Sequence, residues 1–183
     1  MRKEIHGLGV AERRLRRVAD GRSVDDPAMP AERKLAQARN LIGRATERCF
    51  SHHGRCPWCE NAGRRSRELR LAATNTPAFD VVCDDCKTTV EVKWSTRPRR
   101  DPRVALTERD VREHTRLVGG RWWLARVTQD PPKKGYPPVP DGFVSCAVWH
   151  GDKVRHGAGK DARKKARLVG PPAFLWLLPI DDR

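Results

Sequence analysis

Ala78-Phe79-Asp80-Val81-Val82-Cys83-Asp84-Asp85-Cys86-Lys87-Thr88-Thr89-Val90-Glu91-Val92-Lys93-Trp94 reads as two strands joined by a cysteine turn. β-branched and aromatic residues fill both arms, 78–83 and 87–94, and the step from Cys83 to Cys86 is short enough for a hairpin. With the turn centred between Asp85 and Cys86, antiparallel pairing sets Asp80 directly opposite Glu91. Such neighbours have Cβ atoms about 4.5–5.5 Å apart. Side chains alternate along a strand, so Glu91 and Lys93 share one face while Val90, Val92 and Trp94 take the other. Phe79 and Val81 likewise point away from Asp80. Two carboxylates and a lysine therefore converge beside the turn.

That turn carries one of two CxxC pairs. The other is Cys56-Pro57-Trp58-Cys59, with 23 residues between the pairs. Two residues between thiolates let both sulfurs reach one ion while the backbone turns around it, and two such knuckles complete a closed tetrahedral site. Cys56, Cys59, Cys83 and Cys86 are thus expected to hold one structural Zn²⁺. A redox dithiol would want a thioredoxin-like βαβ context, which neither pair has. Cys49, His52 and His53 are spare donors, His52 and His53 reading as solvated loop histidines. Cys146 reads as a buried strand thiol.

Around the hairpin the elements run helix, three strands, helix, strands, which defines an α/β domain with a mixed sheet. A long helix is expected just after Pro30, with Leu35, Ala38, Leu41, Ile42, Ala45 and Cys49 forming its apolar face. Residues 51–67 read as irregular, and 68–73 as a first short strand. Thr107 is placed to cap a second helix, with Asp110 completing the box and Gly119-Gly120 closing it. Strands follow at 121–127 and 143–149. Residues 1–30 read as a basic arm with a short helix around 10–18. Residues 31–150 form the domain containing the zinc site, and 151–183 a basic C-terminal extension.

Lys and Arg outnumber Asp and Glu by 38 to 23 among 183 residues, a formal charge of +15. A chain this basic faces a polyanion, because neutralising phosphates releases condensed counterions. Nucleic acid is the expected partner. A membrane-surface role would need a basic helix with a bulky apolar face, and the sequence offers none. The longest apolar run, 173–178, is too short for a membrane span, and residues 1–10 lack a signal-peptide core, so a cytoplasmic location with reduced thiols is expected. Between Lys153 and Leu168 seven basic residues face one acidic residue, a segment suited to a helix contacting phosphates. Of the six tryptophans, Trp58 alone is expected on the surface, where it could stack on a base.

The carboxylate and lysine cluster suits metal-assisted phosphodiester hydrolysis. Asp80 and Glu91 offer hard oxygen ligands for Mg²⁺, and Lys93 can steady developing negative charge. The plainer alternative is a solvated strand face with a balancing lysine, although like charges directly opposite are destabilising.

Asp80, ten intervening residues and then Glu91-Val92-Lys93 resemble the signature of the PD-(D/E)XK nuclease superfamily, with Pro77-Ala78-Phe79-Asp80 a loosened form of its first half. The segment from Leu106-Thr107-Glu108 to Arg121-Trp122-Trp123-Leu124-Ala125-Arg126-Val127 is similar to a bacterial subgroup found in restriction and helicase-associated proteins. The resemblance spans about residues 31–128. It implies an αβββαβ restriction-endonuclease-like core carrying a zinc-ribbon-like insertion. It also implies a Mg²⁺-dependent DNA endonuclease, a hydrolase of restriction or mobile-element defence, and a homodimer in those relatives that cut both strands. In this superfamily an acidic residue on the first helix assists the metal. Glu32 and Glu47 both qualify, and Glu47 is nearer the end leading into the sheet. Two features depart from the pattern: proline does not directly precede Asp80, and a zinc knuckle sits inside the catalytic hairpin. The rival expectation is a zinc-ribbon nucleic-acid-binding protein without catalysis. Convergence of Asp80, Glu91 and Lys93 in a cleft would favour the nuclease, and splaying onto open surface the ribbon. His52-His53 also invites comparison with His-Asn-His nucleases, but their Asp-His followed by an apolar strand is missing.

Overall fold

The cysteine hairpin lies at one side of a six-stranded sheet in the computed structural model of the chain. The structure describes residues 31–64, 68–73, 76, 79–95, 103–119, 121–128, 139–155 and 166–180, with side chains omitted for 31–38 and 108. The expected arm 1–30, the Pro77-Ala78 step and the loop centre 97–102 lie outside the described residues.

The helices are α1 (Ala31–His53), α2 (Pro57–Asn61) and α3 (Glu108–Val118). The strands are β1 (Leu69–Leu71), β2 (Val81–Cys83), β3 (Thr89–Ser95), β4 (Trp122–Thr128), β5 (Phe143–His150), β6 (Val154–Arg155), β7 (Arg167–Leu168) and β8 (Phe174–Pro179). The main sheet runs β1-β2-β3-β4-β5-β8, and β6 pairs with β7 in a separate ribbon. β3 and β4 are parallel while their sheet neighbours pair antiparallel, so the sheet is mixed. α3 makes the crossover that a parallel pair requires.

The hairpin register matches the reading from sequence: Val81 pairs with Val90 and Val82 with Thr89. The turn closes through Cys83 N–H to Thr88 O at 2.9 Å, and Asp80 N–H donates to Val90 O at 3.1 Å. α3 starts and stops where its capping residues dictate. Asp110 N–H donates to Thr107 Oγ1 at 3.2 Å, Thr107 N–H donates to Asp110 Oδ2 at 2.7 Å, and Gly119 takes φ 63°. At that φ a side chain would be strained, so the glycine ends the helix without cost.

Each face of the sheet buries its own core. α1 brings Ile42, Ala45 and Phe50 against Val81, Val90, Val92, Ala125 and Val127. On the other face Val111 of α3 joins Val104, Leu106, Trp122, Leu124 and Trp149. Each large side chain removed from water contributes about 1.5–3 kcal/mol before conformational entropy is charged against it. β4 is buried along its whole length, as a strand covered on both faces must be. The two faces separate the side chains of β3: Val90 and Val92 enter the α1 core, leaving Glu91 and Lys93 toward α3.

Four expectations are corrected. Residues 51–67 are not wholly irregular, because α1 runs on to His53 and Pro57 at the first turn starts the short α2. His52 and His53 consequently close a helix and are not loop residues. The ends of the basic tail are extended, with Val154 pairing Leu168 and Arg155 pairing Arg167, while 156–165 lies outside the described residues. Part of the segment set apart as an extension, β8, is the last strand of the main sheet. No helix among the described residues is long and apolar enough to cross a membrane.

Candidate functional site

α2 and the β2–β3 turn bring both CxxC pairs to one point. Cys56 precedes the first turn of α2 and Cys59 lies within it, so the helical backbone aims both sulfurs the same way. Cys83 ends β2, and Cys86 follows in the turn. Cys56 and Cys86 Sγ are 3.4 Å apart, Cys59 and Cys83 Sγ 4.0 Å, and all four sulfurs lie within 4.8 Å of one another. A tetrahedron with Zn–S of about 2.3 Å has edges of about 3.8 Å, so the donor set fits one zinc ion. Cys56, Cys59 and Cys83 are buried. Burial pushes the Cys56 and Cys59 thiols up, Cys59 to about 11, which disfavours bare thiolates packed together. Burial acts the same way on Cys86, but the Thr88 hydroxyl and backbone outweigh it and bring that thiol down to about 7. Four sulfurs so placed can hold a metal ion such as zinc.

Lys87 takes φ 59°, a left-handed conformation rare for a residue with a side chain. It turns the chain out of the knuckle and into β3, so that Lys87 N–H reaches Cys83 O at 3.0 Å.

From the clamp the strands lead directly to the carboxylates. Asp80 lies three residues before Cys83, about 10 Å at the strand rise. Its Oδ2 accepts from Val92 N–H at 2.7 Å and lies 3.8 Å from Lys93 Nζ. Lys93 Nζ also bonds Glu91 Oε1, so the ammonium bridges the two carboxylates. Glu91 Oε2 lies 3.1 Å from His114 Nε2. Asp80, Glu91 and Lys93 thus converge as the register requires, with side-chain exposures of 20%, 8% and 28%. Sequence reasoning missed His114. It is 4% exposed, packs its ring on Trp122 at 4.9 Å and turns its Nδ1 to Asp110 O. A carbonyl only accepts, so Nδ1 carries a proton and donates. An ionised carboxylate also only accepts, so the Glu91 contact favours the doubly protonated imidazolium form of His114.

Electrostatics follow from this crowding. Burial, with the Glu91 charge added, raises the Asp80 carboxyl to about 7, against the pull of Lys93. Burial also raises Glu47 on α1, opposed by Lys93 and reinforced by Glu91, so this first-helix carboxylate shares the site's field. Burial works against ionised Glu91, yet His114 and Lys93 outweigh it and hold that carboxyl low. Burial likewise opposes the Lys93 and His114 charges, but Glu91 outweighs it in both and raises them. The side chain of Glu32, the other first-helix candidate, lies outside the described residues. Among the described residues the four cysteines are the one group of three or more donors placed closely enough to share one ion, while Lys93 bridges Asp80 and Glu91.

Trp58 is 43% exposed and the other five tryptophans are buried or half-buried, as expected. Comparison of the chain with protein-family models and with curated proteins finds no match to either. Its fold and site define a mixed α/β protein with a cysteine cluster able to hold zinc.

Proposed function

We propose that this chain is a Mg²⁺-dependent endonuclease of PD-(D/E)XK type acting on double-stranded DNA in restriction or mobile-element defence, with its catalytic hairpin held in register by a zinc clamp. The observation that carries this reading is the convergence of Asp80, Glu91 and Lys93 in a partly exposed cluster. A solvated strand face gains nothing by setting two carboxylates opposite each other. Burial, with the Glu91 charge added, raises Asp80 to about 7, and perturbed carboxyls of this kind cluster at functional sites.

Asp80 and Glu91 would hold Mg²⁺, which supplies polarisation of a phosphoryl oxygen and a more acidic bound water. The rest is done by this chain's own side chains. Val92 N–H fixes Asp80 Oδ2, while His114 and Lys93 hold the two oxygens of Glu91. Glu91 Oε1 stays on the Lys93 side. The Lys93 ammonium stabilises negative charge developing on a phosphate beside it. Glu47 adds a third carboxylate to the field and helps draw in the cation.

The test is incubation of supercoiled plasmid with the zinc-loaded protein. Mg²⁺ or Mn²⁺ should give nicked and linear products, and EDTA should stop the reaction. Ca²⁺ should support binding with little turnover, because its larger, looser shell positions water poorly. DNA binding without cutting under either metal would favour a zinc-ribbon binding protein instead.

A further inference from the structure

We infer that the groove between the outer face of α3 and the β6–β7 ribbon is a seat for the phosphodiester backbone of DNA, one helix diameter from the carboxylates. This rests on the nucleic-acid half of the reading above and does not require catalysis. Arg109, Arg112 and Arg116 recur at helical spacing and form one stripe on α3, while Val111 and His114 face inward. Arg112 and Arg116 form one wall of a groove of about 530 Å³, and Asp152 and Arg155 the other. Its floor is apolar: Val111 and Val154 are buried, and a Cβ on Gly151 would sit 2.5 Å from the Trp122 ring. Glycine therefore lets this wall close onto the sheet.

Asp152, the carboxylate in the lining, lies 3.0 Å from His150 Nδ1 and is turned to it. Among the described residues no carboxylate pairs with Arg116 or Arg155. Beyond the groove the same charge continues. Arg167 pairs with Arg155 on one side and with Arg103 on the other, so three arginines stand abreast on one face. All three are exposed. Like charges directly opposite destabilise a ribbon, and an anion laid across them reverses that penalty. Three cross-strand neighbours span about 10 Å, close to three axial steps between phosphates on one DNA strand. Guanidinium groups match phosphate oxygens with paired N–H donors. α3 thus faces two ways, with His114 on Glu91 and its arginines toward the groove. The helix between groove and carboxylates is about 10 Å across with its side chains.

The test uses a fluorescent duplex oligonucleotide and zinc-loaded protein without added Mg²⁺ or Mn²⁺, where no cutting is expected, with affinity measured across a salt series. The double variant Arg116→Ala/Arg155→Ala should lower the slope of log K against log salt by about 2 and weaken binding about tenfold or more, since each phosphate contact contributes about 0.9 to the slope. The control Arg55→Ala/Arg70→Ala removes the same charge from arginines already paired with Glu60 and Asp84, and should change the slope by less than about 1. An unchanged slope in the groove variant, or equal changes in both pairs, overturns the groove. Failure of the parent protein to bind duplex DNA overturns it together with the nucleic-acid reading. Binding through the groove by a parent that cuts nothing under Mg²⁺ leaves the groove standing and removes the nuclease.

Discussion

His114 Nε2 lies 3.1 Å from Glu91 Oε2 and ties the crossover helix to the strand that carries the candidate site. The bond is buried, and its other end is fixed by the Asp110 carbonyl. His114→Ala should therefore leave Glu91 Oε2 unsatisfied, with Lys93 still on Oε1, and cost about 1–3 kcal/mol, as stranding one buried acceptor does. His114 is raised in the folded state, so its contribution is complete below the unfolded histidine value and fades as pH rises through the folded one. Thermal melts at pH 6 and pH 9 should show the larger gap between parent and variant at pH 6. A gap that widens at pH 9 would contradict the imidazolium assignment.

Asp80 predicts the opposite use of pH. Its carboxyl is raised to about 7, so ionising it costs the metal-free fold stability as pH climbs from the ordinary carboxylate range to that value. Asp80→Asn keeps an acceptor for Val92 N–H but carries no charge. In zinc-loaded protein kept free of Mg²⁺ and Mn²⁺ at pH 8 it should gain about 1–2 kcal/mol, or about 2–8 °C in Tm. The gain should shrink toward pH 5. Equal melting of parent and variant at pH 8 would mean that the carboxylates are not in strain.

The zinc clamp should be measurable directly. Purified protein is expected to hold about one zinc per chain, and strong chelation should lower its melting temperature. Cys83→Ser should lose both the metal and much of the folded protein. A chain without zinc whose six thiols all react in the native state would remove the clamp.

Lys87 is held at φ 59° by the knuckle. Glycine adopts that conformation freely, so Lys87→Gly should stabilise the holo protein by about 0.5–1 kcal/mol after its own entropic cost. Loss of stability in denaturant melts would show that the Lys87 side chain matters more than the backbone, for example through its bond to Asp84 O.

The hairpin was legible because three local signals agree on it: alternation of residues 78–83 and 87–94, the spacing of Cys83 and Cys86, and the polar turn between them. Together they set the register that brings Asp80 to Glu91. α3 was equally plain, since Thr107, Asp110 and Gly119 are its caps. The sequence left other parts unread for physical reasons. His114 meets Glu91 only through the crossover, and no local pattern reports a contact between residues 23 apart. The inward phase of His114 with Val111 was the one available hint. β6 and β7 are two residues each, too short for a period, and a dense basic composition there reads as helix or loop. α2 is a single knuckle-bound turn whose proline and cysteines mimic irregular chain.

The most direct test of the central claim is the cleavage rate of duplex DNA under Mg²⁺ by zinc-loaded Asp80→Asn and Glu91→Gln proteins, each shown to bind DNA and to melt as folded protein. The account predicts that both cut at least about a hundredfold more slowly than the parent, the scale of losing a group that acts on transition-state charge. Folded, zinc-loaded variants that cut as fast as the parent would contradict it, and the facing of Asp80 and Glu91 would then be a consequence of the hairpin register alone.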